Sequence, residues 1–153
     1  MVQSRKKRSS PAKDSKATKG EPSPTISKPT APLDASESNE AFESLVGEVE
    51  DYAIFLLDET GKILSWNKGA EKIKGYTANE IIGRNCRMFY TQEDRDQKVS
   101  EKLLDEARMT GRATCEGWRL RKNGTRFWGS VTLTALHRGK GHVGGFLKVT
   151  RDL

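Results

Sequence analysis

Residues 36 to 153 predict an α+β fold, a five-stranded antiparallel sheet with helices on one face, preceded by an N-terminal helix and a disordered tail. Three observations carry this reading. The apolar period is helical in separate stretches before Gly111 and changes to two after it, turn residues punctuate each change, and all five prolines are confined to Pro11 through Pro32.

Phe42, Leu45, Val46 and Val49 recur at helical spacing from about Asn39 to Glu50, so a helix flanks the domain. Tyr52 to Leu57 is an apolar, aromatic-containing strand that ends at the turn Asp58-Glu59-Thr60-Gly61, and a second strand is expected from Lys62 to Asn67. Thr77-Ala78-Asn79-Glu80 has the form of a capping box, which places a short helix from Ala78 to Ile82 with its stop at Gly83. Thr91-Gln92-Glu93-Asp94 opens a longer helix with Val99, Leu103, Leu104 and Ala107 along one face and Gly111 at its end. Ala113 to Arg121, Thr125 to Leu136 and His142 to Arg151 then alternate as three strands of a meander, joined by Lys122-Asn123-Gly124 and Gly139-Lys140-Gly141.

Composition divides the chain at about residue 36. No aromatic residue precedes Phe42, and residues 1 to 35 hold eight Lys or Arg against three Asp or Glu, leaving 19 against 18 for the remainder. Such a tail buries too little apolar surface to offset its ordering entropy and is expected to be disordered. Its Arg5-Lys6-Lys7-Arg8 cluster is suited to weak contact with nucleic acid or another anionic surface, without specificity. Residues 37 to 51 form the flanking helix and residues 52 to 153 one domain, large enough for a single core. The longest apolar run, Ala53 to Leu57, is far short of a membrane span, no apolar secretion segment opens the chain, and a cytoplasmic location is expected. Cys86 and Cys115 have neither CxxC nor zinc-site spacing and read as reduced thiols, so no metal ligands are assigned.

The runs DYAIFLLDETGKILSWNKGAEKIKGYTANEIIGRN, FYTQED, EGWRLRKNGTRFW and GGFLKVTRDL resemble, in order and spacing, the PAS domains that precede histidine kinases and other bacterial signalling outputs. The resemblance implies a cavity between sheet and helices for a small-molecule ligand, a homodimer formed through the sheet and the flanking helix, and output to a partner signalling protein. Its pocket candidates here are Asn67, Phe89, Leu103, Arg119, Phe127, Gly129, Val131 and Leu133, and its interface candidates Phe42, Leu45, Val49, Trp118 and Trp128. Asn67, just after a strand and before a short helix, reads first as a helix cap.

The GRNCR run from Gly83 to Arg87 further resembles the cysteine motif of the light-oxygen-voltage subfamily, whose flavin, FMN, the resemblance would place on Asn85, Cys86 and Arg87. That subfamily has polar side chains to hydrogen-bond the flavin where this chain has Tyr90, Arg119, Gly129 and Thr150. An isoalloxazine edge buried without partners costs about 1 to 3 kcal/mol per polar atom, which argues against FMN. Haem is disfavoured as well, because the long helix contains no histidine. Which side chains face the cavity depends on the hairpin. A three-residue turn at 122 to 124 sets Arg119 beside Phe127, Gly129, Val131 and Leu133 and pairs Trp118 with Trp128 on the opposite face, beneath the flanking helix or a second subunit. A two-residue turn would instead put Trp118 with Phe127.

No catalytic motif appears, and no enzymatic activity is expected within these residues. The function expected is a PAS sensory or interaction module that binds a small ligand or dimerises and relays its state to a partner such as a two-component kinase. The alternatives are a flavin photosensor and the sensor fragment of a histidine kinase.

Overall fold

The computed structural model describes residues 35–153, so the expectations for the tail, apart from its last two residues, lie outside the described residues. Helix α1 (Ala35–Glu48) starts four residues earlier than its apolar spacing suggests. Strand β1 (Ala53–Asp58) alternates strictly, turning Ala53, Phe55 and Leu57 into the core. Asp58 ends it by accepting hydrogen bonds from the Thr60 amide at 2.8 Å, the Thr60 hydroxyl at 2.7 Å and the Lys62 amide at 2.9 Å, which folds the chain back sharply.

The returning segment does not form the expected fifth strand. The sheet has four strands, and 62–67 contributes isolated antiparallel bridges, Ile63 with Leu57 and Lys62 with Asn85, with Leu64 N–H donating to the Leu56 carbonyl at 2.9 Å. The reason lies in two side chains. The Leu56 amide donates to Ser65 Oγ at 2.9 Å and the Ile54 amide to Asn67 Oδ1 at 2.9 Å, so the free edge of β1 is closed by side-chain oxygens where a strand would supply carbonyls.

Helix α2 (Lys68–Lys74) follows directly, then α3 (Ala78–Ile81), whose capping box forms as expected with the Glu80 carboxylate accepting from the Thr77 amide at 2.8 Å. A 3-10 turn (Cys86–Phe89) leads to α4 (Gln92–Asp96) and α5 (Val99–Thr110). The single long helix expected here is thus two, broken at Lys98, which adopts left-handed φ 55° and ψ 40°. Helix α4 buries none of its residues, whereas α5 buries Ser100, Leu103, Leu104 and Ala107, so the break turns an exposed first piece into a second piece aimed at the core.

Strands β2 (Arg112–Leu120), β3 (Arg126–Arg138) and β4 (His142–Asp152) complete an all-antiparallel sheet of order β1-β4-β3-β2. Trp118 faces Trp128 and Arg119 faces Phe127 in the ladder, which decides for the three-residue turn; Gly124 supplies its positive φ of 83°. The helices cover one sheet face. On the other, the tryptophan rings meet edge to face with centroids 5.3 Å apart and remain 46% and 40% exposed. No described residue covers them, contrary to one of the two expectations, because α1 packs on α2 beside β1, at the opposite edge of the sheet.

Candidate functional site: a basic interior

The inner face of the sheet is built by strand parity. Ala53, Phe55 and Leu57 of β1, Phe146, Lys148 and Thr150 of β4, and Phe127, Gly129, Val131, Leu133 and Ala135 of β3 are buried toward the helices. Arg119, at the end of β2, has its side chain fully buried, held where Tyr90 forms an isolated bridge with it. Phe89 joins Phe55, Trp66 and Tyr76 in an aromatic cluster with centroid separations of 4.8 to 6.1 Å, and Leu103 closes the core from α5. The sheet and helix pocket candidates therefore converge on one volume, with one exception.

That exception is Asn67. Its Oδ1 accepts from the Ala70 amide at 2.8 Å, capping α2, and its Nδ2 donates to the carbonyls of Val46, Val49 and Tyr52 at 3.2, 3.0 and 3.0 Å. Every polar atom of its amide is committed to holding α1, β1 and α2 together. The side chain has nothing left to offer a ligand, although it borders an open groove of about 400 Å³ between α1 and β1.

Three cations occupy the interior. Lys74, Arg119 and Lys148 are all completely buried, and two of them were not singled out by sequence. Lys74 Nζ lies 4.1 Å from the Phe89 ring centroid and 5.5 Å from that of Phe127; Lys148 Nζ lies 4.8 Å from the Tyr90 centroid and 3.5 Å from its hydroxyl; the Arg119 guanidinium stacks 4.1 Å over Tyr90. Burial first, and then the charges of Lys148 and Arg119, push the Lys74 ammonium well below the usual lysine range. A signal for both lysines was present. Lys148 is in phase with Phe146 and Thr150 on a strand, and Lys74 follows Ala70 by four positions on a helix, so each shares the apolar face of its element.

The residues of the cysteine motif are elsewhere engaged. Asn85 Oδ1 accepts from the Arg87 amide at 3.1 Å and its Nδ2 donates to the Thr60 carbonyl at 3.1 Å, while Arg87 is exposed. Cys86 is buried with its Sγ 3.6 Å from Ser100 Oγ. A flavin ring would have to occupy the volume that Lys74, Arg119, Lys148 and Tyr90 fill, and a side chain at Gly129 would meet the Phe127 ring at 3.1 Å and Arg119 Cγ at 3.4 Å. These residues do not fit FMN. Haem finds no axial histidine either, since His137 and His142 are exposed beside the β3–β4 turn, and no metal-binding cluster exists among the described residues.

Of the interface candidates, Leu45 is 73% exposed on α1, Val49 is half-buried with its carbonyl accepting from Gly69, and Trp118 and Trp128 form the outer pair; the Phe42 side chain lies outside the described residues. No described helix is long and apolar enough to cross a membrane.

Comparisons agree with this architecture. The chain is 49% identical over 115 residues, 75% of its length, to two-component system protein A of Emericella nidulans, and that match spans 17% of the relative. It is 31% identical over 91 residues to a blue-light photoreceptor of Listeria innocua, covering 60% of this chain and 35% of the relative. The chain thus spans about a sixth to a third of the length of these curated relatives. The crystal structure of a PAS domain from Colwellia psychrerythraea superposes with a TM-score of 0.69 at 24% identity, over 76% of this chain and 97% of that one. A PAS domain family model matches residues 51–153, two thirds of the chain, and with the four-stranded sheet and its covering helices this shows that the chain belongs to the PAS domain family.

Proposed function

We propose that this PAS domain is a non-catalytic sensory and interaction module of two-component signalling, located in the cytoplasm, which receives a small ligand in its interior and relays its state to a partner kinase. The observation that carries this reading is the 49% identity over 115 residues to two-component system protein A. The dimer belongs to the same reading. Half-buried Ile54, Leu56, Leu147 and Val149 and the exposed Trp118 and Trp128 make the outer sheet face apolar, with α1 at its edge. A second copy is the natural cover for such a face.

A chimera tests the proposal. The matching segment of two-component system protein A is replaced by residues 36–153 of this chain, and phosphotransfer output is compared with the unaltered protein and with a deletion of the segment. Output at the unaltered level supports the reading; a folded chimera with the output of the deletion refutes it. The dimer is tested by light scattering of Trp118→Ser with Trp128→Ser. A lower mass than wild type is expected, and a wild type that is already monomeric overturns the dimer.

A further inference from the structure

We propose that the interior of this domain is a binding site for a small organic carboxylate, held by Lys74, Arg119 and Lys148 against the rings of Phe55, Phe89 and Tyr90. This deepens the sensory reading by naming its ligand class, and it stands on the geometry of the interior.

Charge balance is the first argument. Among the described residues, three fully buried cationic side chains meet one carboxylate, Asp94, which lies 3.7 Å from Arg119 at the rim and is itself 32% exposed. Lys74 Nζ, Arg119 Nε and Thr150 Oγ1 are buried with no hydrogen-bond partner among the described residues. Buried polar groups in folded proteins are almost always paired, and an uncompensated buried charge is strongly unfavourable. Ring contacts compensate only in part. Lys74 can relieve itself by releasing its proton, in keeping with the depressed proton affinity that burial and its cationic neighbours give it. Arg119 cannot, because a guanidinium does not deprotonate in proteins.

Arrangement is the second argument. Both ammonium groups lie over the same two rings, Lys74 at 5.9 Å and Lys148 at 5.8 Å from the Phe55 centroid, and at 4.1 and 5.8 Å from that of Phe89. The cations therefore converge. Besides Asp94, the partners of Arg119 are local: the carbonyl of its own neighbour, Trp118, at 2.8 Å, and Cys115 Sγ at 3.9 Å. Two glycines make room for its side chain, since a Cβ at Gly117 would stand 3.0 Å from Arg119 Nη1 and one at Gly129 would stand 3.4 Å from its Cγ. A carboxylate offers the guanidinium a two-pronged acceptor and the ammonium groups a counter-charge. Its carbon body suits walls of Phe55, Phe89, Val131 and Leu133, which an inorganic oxyanion would leave unused.

The test uses the purified full chain with acetate, succinate and benzoate as probes, inorganic phosphate as comparator, and chloride to match ionic strength. At least one carboxylate is expected to raise the thermal midpoint saturably beyond chloride, with apparent affinity at least tenfold weaker in Lys148→Met and Arg119→Met and unchanged in the exposed control Lys72→Met. No shift beyond chloride, a shift of equal affinity in those interior variants, or a shift with phosphate alone would overturn the assignment. If the interior variants fail to fold, side-chain NMR of lysine in the wild type decides: the Lys74 and Lys148 signals move with the bound carboxylate, or their immobility refutes the site. Because binding is measured on the chain alone, its failure leaves the chimera experiment to judge the signalling role separately.

Discussion

Replacing Asn67 with alanine removes one side chain from three junctions at once, and the loss can be built up from its bonds. The cap on the Ala70 amide is worth about 1 kcal/mol, and the Ile54 amide, left facing a closed strand edge, adds about 1 to 3 kcal/mol as an unsatisfied donor. The Val46 and Val49 carbonyls keep backbone donors, the amides of Val49 and Gly69, so the lost Nδ2 bonds contribute little. The sum, about 2 to 4 kcal/mol, corresponds to a fall of about 8 to 16 °C in thermal midpoint for a domain of this size. Asn67→Asp separates the roles, because it keeps the two accepting bonds but sets a carboxylate oxygen against three carbonyl oxygens. Hydrogen exchange should then open α1 in the aspartate variant while the Ile54 and Ala70 amides stay protected, and open both regions in the alanine variant. An alanine variant within 1 kcal/mol of wild type in urea denaturation would refute the reasoning, as would an aspartate variant that loosens α2 before α1.

Lys74→Met should be more stable than wild type at neutral pH in chloride buffer, by about 1 kcal/mol or more. Burial, Lys148, Arg119 and Arg121 depress its proton affinity and Cys86 opposes them only in part, so the unfolded chain keeps this proton up to its ordinary value of 10.5 while the folded chain releases it earlier. Wild-type stability therefore gains from this group as pH rises through that window, the variant lacks the gain, and identical pH dependence of the two in urea denaturation would contradict the assignment. Gly145→Ala places a Cβ 2.4 Å from the Leu57 carbonyl oxygen where β1 and β4 pair, and a loss of about 2 kcal/mol or more is expected by the same method. Cys86→Ala should cost only about 1 kcal/mol, and visible spectra of wild type and variant purified from flavin-replete cells should match in darkness and after blue light. A flavin band that bleaches reversibly in the wild type alone would reverse the reading of the interior.

Strand parity was the most legible part of this fold. Once Trp118 is set opposite Trp128, the inward direction of Arg119, Phe127 and Val131 follows from a period of two. Local chemistry announced the α3 cap as well, because Thr77 and Glu80 satisfy each other within four residues. What escaped were arrangements in which a side chain does the work of backbone. Ser65 and Asn67 have nothing in their spacing to show that their oxygens will complete β1 from another segment. The break at Lys98 carries no glycine or proline to mark it, since packing of α5 against the sheet, and not local preference, sets the direction of the chain there. Lys74 and Lys148 were visible as positions on apolar faces, but lysine normally leads its charge to solvent, and only the surrounding walls show that these do not.

The seat of Gly69 gives α2 a mechanical character. A single added carbon there would fall 2.0 Å from the Tyr52 carbonyl oxygen, so the first turn of this helix and the segment entering β1 touch backbone to backbone with no side chain between them to yield. At the other end of the same seven-residue helix, about 7.5 Å away at 1.5 Å per residue, stands Lys74. So short a rod has little compliance. Lys74, one of three fully buried cations, and the segment that joins α1 to β1 thus stand at the two ends of one short, stiff element.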